Sequence, residues 1–406
     1  MNIKTTLSLL TGLFVAAGAS AMSAKPPTDP IADFQNSWAG KALAHQRSLD
    51  VNSPMIDNNI LGSHNTYNSE VYRNAFRYID PQQKHSIYDQ LRIGARFIEL
   101  DAHWTAQTHG APWTWGPGLL LCHSGIGASV GDLHVGCSLT DRFVKDGVQE
   151  VGNWLNENPD EVIILYVEDH TDGHHQELLN ILNDKLSGKI YASNGCSNIP
   201  DSLTKAQVRT AGKQVVLWKD GGCSGNSGMK NLAFTGLGKV DRIWEDRTGV
   251  GAIGAFFTGG SVDKIEKSDV TQAFKNGGNI VNLDKLTYGD GRMEAGIWSW
   301  DVNEPNNSGG NQDCAVQWGN GRWDDAGCSS QYHFACKAQD GSWDISRTKG
   351  IWSVGQVACG LLGTGYTFSA PTNGQDNEAL KAVKGGNSHV WVNASDRNTE
   401  GRWIAH

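Results

Sequence analysis

Residues 60–104 read ILGSHNTYNSEVYRNAFRYIDPQQKHSIYDQLRIGARFIELDAHW, and the rest of the chain is read outward from them. The apolar pair Ile60 and Leu61 runs into GSHNTY, so a histidine (His64) and an amide (Asn65) stand where a strand ends. GARFIELDAHW alternates every second residue, which sends Phe97, Glu99 and Asp101 to one face and Ile98 and Leu100 to the other. Two carboxylates on one face of a mostly apolar strand are costly to bury as bare charges. A cation between them removes that cost, and a hard divalent ion such as Ca2+ is the usual partner of carboxylate and amide oxygens. The bland alternative is a structural pairing of Glu99 and Asp101 with Arg92 or Arg96.

Strand-like runs continue on either side, separated by helix-like ones. Helices are expected over 31–49, 82–94, 140–158 and 174–186. Strands are expected over 119–123, 162–167, 215–218 and 279–283. Continuous apolar strands with helices between them predict a parallel sheet covered on both faces, here a TIM-like barrel. In such barrels the active site lies at the C-terminal ends of the strands. His64, Glu99, Asp101, His123, Glu168 and Lys219 all fall at expected strand ends.

GSHNTY, GARFIELDAHW, LLCHSG (120–125) and EVIILYVEDH (161–170) occur in one order. Together they resemble the X domain of phosphatidylinositol-specific phospholipase C, across about residues 50–288. The resemblance implies the barrel fold and a two-histidine mechanism. His64 would be the base that takes the proton of the inositol 2-hydroxyl, and His123 the acid that protonates the departing diacylglycerol oxygen. Bacterial members that work without metal carry an arginine where this chain has Asp101. An acid there is similar to the calcium-dependent members, so the resemblance implies Asn65, Glu99, Asp101 and Glu168 as Ca2+ ligands. Lys219, ending VVLWK, resembles their phosphate-binding lysine more loosely. His103, His109, His170, His174 and His175 are read as solvated loop histidines without a function.

With 406 residues the chain is long enough for two or three domains. A formal net charge of −9 argues against nucleic acid and against attraction to anionic membranes. Lys4, the apolar run 7–18 and Ala19–Ser20–Ala21 read as a signal peptide cleaved after Ala21, with Ala24 the alternative. That predicts a secreted or periplasmic protein. Eight cysteines with no CxxC pair fit four disulfides, and neighbour pairing is the simplest scheme: 122–137, 196–223, 314–328 and 336–359. Trp113 and Trp115, in THGAPWTWGPG, lie on a loop that could meet lipid or simply pack.

After Gly289 the composition shifts towards Trp, Asn and Gly. The EPN triplet 304–306, DCA 313–315, GRWDDAGC 321–328 and FACK 334–337 resemble the second half of a C-type lectin-like domain. That fold's helical first half is missing upstream, and 357–403 supply a cysteine, an aromatic strand, a helix (377–384) and a strand pair instead. The order suggests a circularly permuted, smaller α+β lectin-like domain, with two incomplete tandem modules as the alternative. Glu304, Asn306, Asp324 and Asp325 are the implied Ca2+ and carbohydrate residues, weakened by an Asp-Asp pair where the family has Asn-Asp.

The expected organisation is thus 1–21 signal peptide, 22–290 barrel and 291–406 lectin-like domain. The expected function is a Ca2+-dependent phosphatidylinositol phospholipase C acting on a phosphoinositide or related phosphodiester lipid at a membrane surface, through an inositol 1,2-cyclic phosphate. A phosphodiesterase for other glycerophosphodiesters or sphingolipids is one alternative. A carbohydrate-binding protein with an inactive barrel is the other.

Overall fold

A computed structural model of the chain describes residues 28–72, 81–108, 115–123, 129–130, 133–223, 225–236, 238–245, 260–262, 264–385 and 389–406. The expected signal peptide and Trp113 lie outside them. Among the described residues no helix is long and apolar enough to cross a membrane.

The principal strands of the first unit are β1 (Ile60–Ser63), β2 (Phe97–Thr108), β3 (Trp115–Leu121), β4 (Ile163–His170), β5 (Val215–Lys219), β6 (Arg242–Glu245), β7 (Gly260–Val262) and β8 (Ile280–Leu283). Seven of these run parallel in the order β7-β6-β8-β1-β2-β4-β5. Both faces of β1, β8 and the 163–167 part of β4 are buried, as their continuous apolar character requires. Ile98, Leu100, Leu165, Leu217 and Val281 pack outward into one cluster with the helices. Phe97, Ile164, Tyr166, Val216 and Ile280 pack inward into another. Gly62 also faces inward, where a Cβ would sit 2.0 Å from Asn282 Oδ1 and 2.9 Å from Phe97 Cβ. Only glycine admits that approach.

Two elements differ from expectation. The helix over 31–49 is two, α1 (Pro30–Asn36) and α2 (Trp38–Leu49). Ser37 breaks it with extended backbone (φ −68°, ψ 166°) and uses its hydroxyl to accept from Gly40 N and donate to Phe34 O. The strand expected at 119–123 is β3, which ends at Leu121 and runs antiparallel to β2 from Ala102↔Leu121 to Thr108↔Trp115. Only six residues separate β2 from β3, too few for a crossover, and without a crossover a strand can only return antiparallel. Helices α3 (Ile87–Ile93), α4 (Val144–Glu157), α5 (His175–Leu186) and α6 (Lys267–Lys275) lie within expected runs or, for α6, beyond them.

The second unit is one sheet of β9 (Cys314–Trp318), β10 (Trp323–Ala326), β11 (His333–Lys337), β12 (Trp343–Ile345) and β13 (His389–Ser395), with α7 (Gly374–Lys384) before its last strand. The order is β10-β9-β13-β11-β12. β13, which follows the helix α7, is therefore inserted between β9 and β11, antiparallel to the first and parallel to the second. A strand shared in this way makes one domain with its helical half following its sheet half, rather than two incomplete modules. All four disulfides pair neighbouring cysteines: 122–137, 196–223, 314–328 and 336–359.

The two units meet at the N-terminal end of the barrel. Asn59, just before β1, donates to Gly278 O at 2.7 Å and accepts from Gly374 N at 2.8 Å. Gln46 of α2 accepts from Trp298 N, Ser299 N and Ser299 Oγ.

Candidate active site

The inward-facing residues of β2 and β4 form rungs, because parallel register puts Glu99 beside Tyr166, Asp101 beside Glu168 and His103 beside His170. One oxygen from each of Glu99, Asp101 and Glu168 lies within 4.8 Å of the others. Glu99 and Asp101 are almost fully buried, at 2% and 3% exposure. Burial, then the charges of Glu168 and Glu99, push the Asp101 carboxyl well above the usual range. The His170 hydrogen bond holds Glu168 below it. Tyr67 Oη donates to Asp101 Oδ2 at 2.8 Å.

The guanidinium that meets Glu99 is neither Arg92 nor Arg96. Arg92 binds Asp29 and Asp89, and Arg96 binds Glu161. Arg242, from the start of β6, lies 3.3 Å from Glu99 Oε1. It is packed against the rings of Phe97, Tyr166, Trp218 and Trp244. Asn282 Nδ2 donates to Glu99 Oε2 at 2.9 Å. Both Glu99 oxygens are thus engaged by protein, and the outer carboxylates Asp101 and Glu168 are the ones left to hold a cation.

The donor set fits such a cation. The Asn65 amide lies 3.0 and 3.2 Å from the two Asp101 oxygens. With its nitrogen inward it donates to the carboxylate, and with its oxygen inward it adds a further hard ligand. Asn65, Asp101 and Glu168 are all-oxygen ligands of the kind calcium prefers, with Glu99 as the acid beneath them.

His64 follows β1 directly, is 7% exposed, and its Nδ1 lies 2.9 Å from Asp284 Oδ1. Register explains the meeting: Ser63 pairs with Leu283, so the next residue of each chain shares a rung. Burial pushes the imidazole down, but Glu99 and Asp284 outweigh it and hold His64 above its ordinary value. Nδ1 is fixed on Asp284, so the proton-accepting nitrogen of the ring is Nε2, which meets Asn65 Nδ2 at 3.3 Å. Asp284 was missed from sequence, although Ile280, Asn282 and Asp284 alternate onto the same face.

The other expected residues stand apart. His123 lies two residues beyond β3 and is exposed, whereas Glu99 and Asp101 are buried. Lys219 is fully buried and is turned to Asp169 and the carbonyls of Asp220 and Gly222, away from the expected role on phosphate. A lysine without water at a strand end needs that carboxylate. His103 and His170 are strand residues, and His103 is 1% exposed, so neither is a solvated loop histidine. His174 stacks on Trp104 and His175 binds Asp169. His109 lies outside the described residues.

In the second unit Glu304, Asp324 and Asp325 bring carboxylate oxygens within 4.8 Å of one another. Asp325 is spent on structure: its oxygens accept from Asn306 N at 3.0 Å and Asn307 N at 2.7 Å. Glu304 Oε1 accepts from Asn306 Nδ2 at 2.7 Å, while its Oε2 is buried and unpartnered among the described residues. Burial and the two aspartates push Glu304 up to about 8.

A parallel barrel with a carboxylate-oriented histidine and clustered acids at its strand ends defines a phosphodiesterase-like barrel joined to a lectin-like sheet. Comparison with known proteins agrees. The Rv2075c PI-PLC-like domain matches residues 27–237 and the lectin C-type domain matches 272–338. The chain belongs to the Rv2075c PI-PLC-like family. It is 27% identical to the uncharacterized protein Rv2075c of Mycobacterium tuberculosis, over 88% of this chain and 80% of that one. Among solved structures it is similar to the phosphatidylinositol-specific phospholipase C of Listeria monocytogenes, with 17% identity, a TM-score of 0.38, and coverage of 63% of this chain and 97% of that one. A calcium-dependent phosphoinositol-specific phospholipase C from a Pseudomonas species shares 14% identity with a TM-score of 0.31, over 61% and 89%.

Proposed function

We propose that the protein is an exported, Ca2+-dependent phosphodiesterase of the phosphatidylinositol phospholipase C type. The observation that carries this reading is the His64–Asp284 pair beside Asn65, Asp101 and Glu168 at the C-terminal ends of the strands. Membership of a PI-PLC-like family supports the reaction class. The four disulfides and the leader-like first residues support export.

In this reading His64 Nε2 takes the proton of the inositol 2-hydroxyl while Asp284 stabilises the imidazolium that forms. The freed oxygen attacks phosphorus, and His123 gives its proton to the departing glycerol oxygen. Arg242, 3.3 Å from Glu99 Oε1, offsets the charge of that acid beside the base. Bound at Asn65, Asp101 and Glu168, Ca2+ would supply charge stabilisation to the phosphate and lower the pKa of the attacking hydroxyl. In the second unit Glu304, Asn306 and Asp324 are the residues for a Ca2+-bridged carbohydrate.

The test is product identification. Phosphatidylinositol in mixed micelles should yield inositol 1,2-cyclic phosphate and diacylglycerol, and His64→Ala should yield neither. Release of choline phosphate or glycerol phosphate from other lipids, with phosphatidylinositol untouched, would move the substrate class and overturn the inositol reading.

A further inference from the structure

Above the carboxylates lies a run of imidazoles that the reaction as described does not use. His103 and His170, partners in register, stack at 4.3 Å with their planes 22° apart. His103 Nδ1 meets His134 Nδ1 at 2.9 Å, and His134 Nε2 lies 2.9 Å from Asp172 Oδ2. The proton order along this line follows from chemistry. A carboxylate only accepts, so His134 Nε2 carries its proton and His134 Nδ1 is bare. The proton between the two rings then sits on His103 Nδ1, and a buried imidazole with one proton has a bare Nε2. That Nε2 is buried and has no hydrogen-bond partner among the described residues. An acceptor left so is costly and calls for a donor.

The segment that delivers His134 is clamped beside the residue that precedes His123. Cys137 is bonded to Cys122, and His134 N donates to Thr105 Oγ1 at 3.0 Å. A ring nitrogen of His103 and both sulfurs of that disulfide lie within 4.8 Å of one another. The residue after Cys122 is His123, whose charge is felt at the His103 ring.

We propose that Asp172, His134 and His103 form an orienting relay for His123, in which His103 Nε2 accepts one N–H of that ring and so aims the other at the departing oxygen. The inference rests on the reading of His123 as the acid. When the P–O bond to glycerol breaks, its electron pair goes to the glycerol oxygen, which takes the outward proton of His123. The N–H held by His103 stays in place, the His123 ring becomes neutral, and no proton leaves the relay. His103, His134 and Asp172 are positioning residues, since none touches substrate.

The experiment compares two leaving groups with the full-length protein. Diacylglycerol needs a proton to depart, whereas 4-nitrophenolate from inositol 4-nitrophenyl phosphate does not. Asp172→Asn and His134→Phe should lower kcat on phosphatidylinositol about 10- to 100-fold, part of what a general acid contributes. KM should hold, and the nitrophenyl substrate should lose less than about 3-fold, as a leaving group that needs no acid should. Asp172 is 60% exposed and asparagine suits its positive φ of 51°, so that variant should fold as the parent does. Equal losses on both substrates, or no loss on either, would overturn the relay. Unaltered protein that cleaves neither substrate would refute the acid–base reading itself and the relay with it.

Discussion

In the proposed reaction His64 and Asp284 set the acid limb of the pH profile. The base acts only when neutral, and its neighbours hold its pKa above the ordinary histidine value, so kcat/KM should climb as pH rises through that raised value. Asp284→Asn removes a hydrogen bond and a charge that both favour the imidazolium. The acid limb should therefore move to lower pH while kcat falls by about 10²- to 10⁴-fold, measurable in one kcat/KM profile of each protein. An unmoved limb would mean that Asp284 does not govern the base. At this scale the sequence showed the acids and His64, because local motifs and two-residue alternation carry them. It could not show Arg242, which reaches Glu99 across 143 positions, since no local pattern names the partner of a buried carboxylate. Histidines 103 and 170 were misread because β2 and β4 run further past the barrel than their apolar cores suggest.

The strands and helices were legible wherever burial imposes a period. The β2–β3 return was not, since the shortness of the connection is what decides its direction. Arg96 shows how β2 is anchored at its start: its Nε and Nη2 grip Glu161 at 2.9 and 2.8 Å, while Nη1 donates to Leu91 O and Ala95 O. Burial pushes the Glu161 carboxyl up, but Arg96 and Arg47 overcome this and hold it far below its ordinary 4.5. A carboxyl depressed on folding stabilises above its unfolded pKa, and that stability is lost as pH falls through the folded value. The parent protein should therefore melt progressively lower as pH drops below about 4.5. Glu161→Gln should cost about 3 kcal/mol at pH 7, since it strands a buried guanidinium. Its melting curve should also be flatter with acidification. A variant with the parent's acid slope would show that this ion pair is not the titrating element.

On the scale of the molecule, the lectin-like unit serves as the floor of the barrel. Trp298 and Met293 are buried in the same cluster as Leu61, Ile98 and Leu165, and Gln46 depends on the backbone of 298–299. Ending the chain at Gly289 should lower the melting temperature by roughly 10 °C or more. A truncated barrel that melts with the parent would show the units to be independent. The permuted order of this unit was readable because its cysteines and its EPN triplet are local marks, whereas its packing on the barrel left no sequence signal. The central claim is that a cation held by Asn65, Asp101 and Glu168 works beside His64. It is tested most directly by following phosphatidylinositol cleavage by phosphorus NMR after EDTA treatment, as Ca2+ is titrated back. The account predicts no cyclic phosphate in the chelated protein, recovery with Ca2+, and no recovery in Asp101→Asn. Undiminished turnover in EDTA would contradict it.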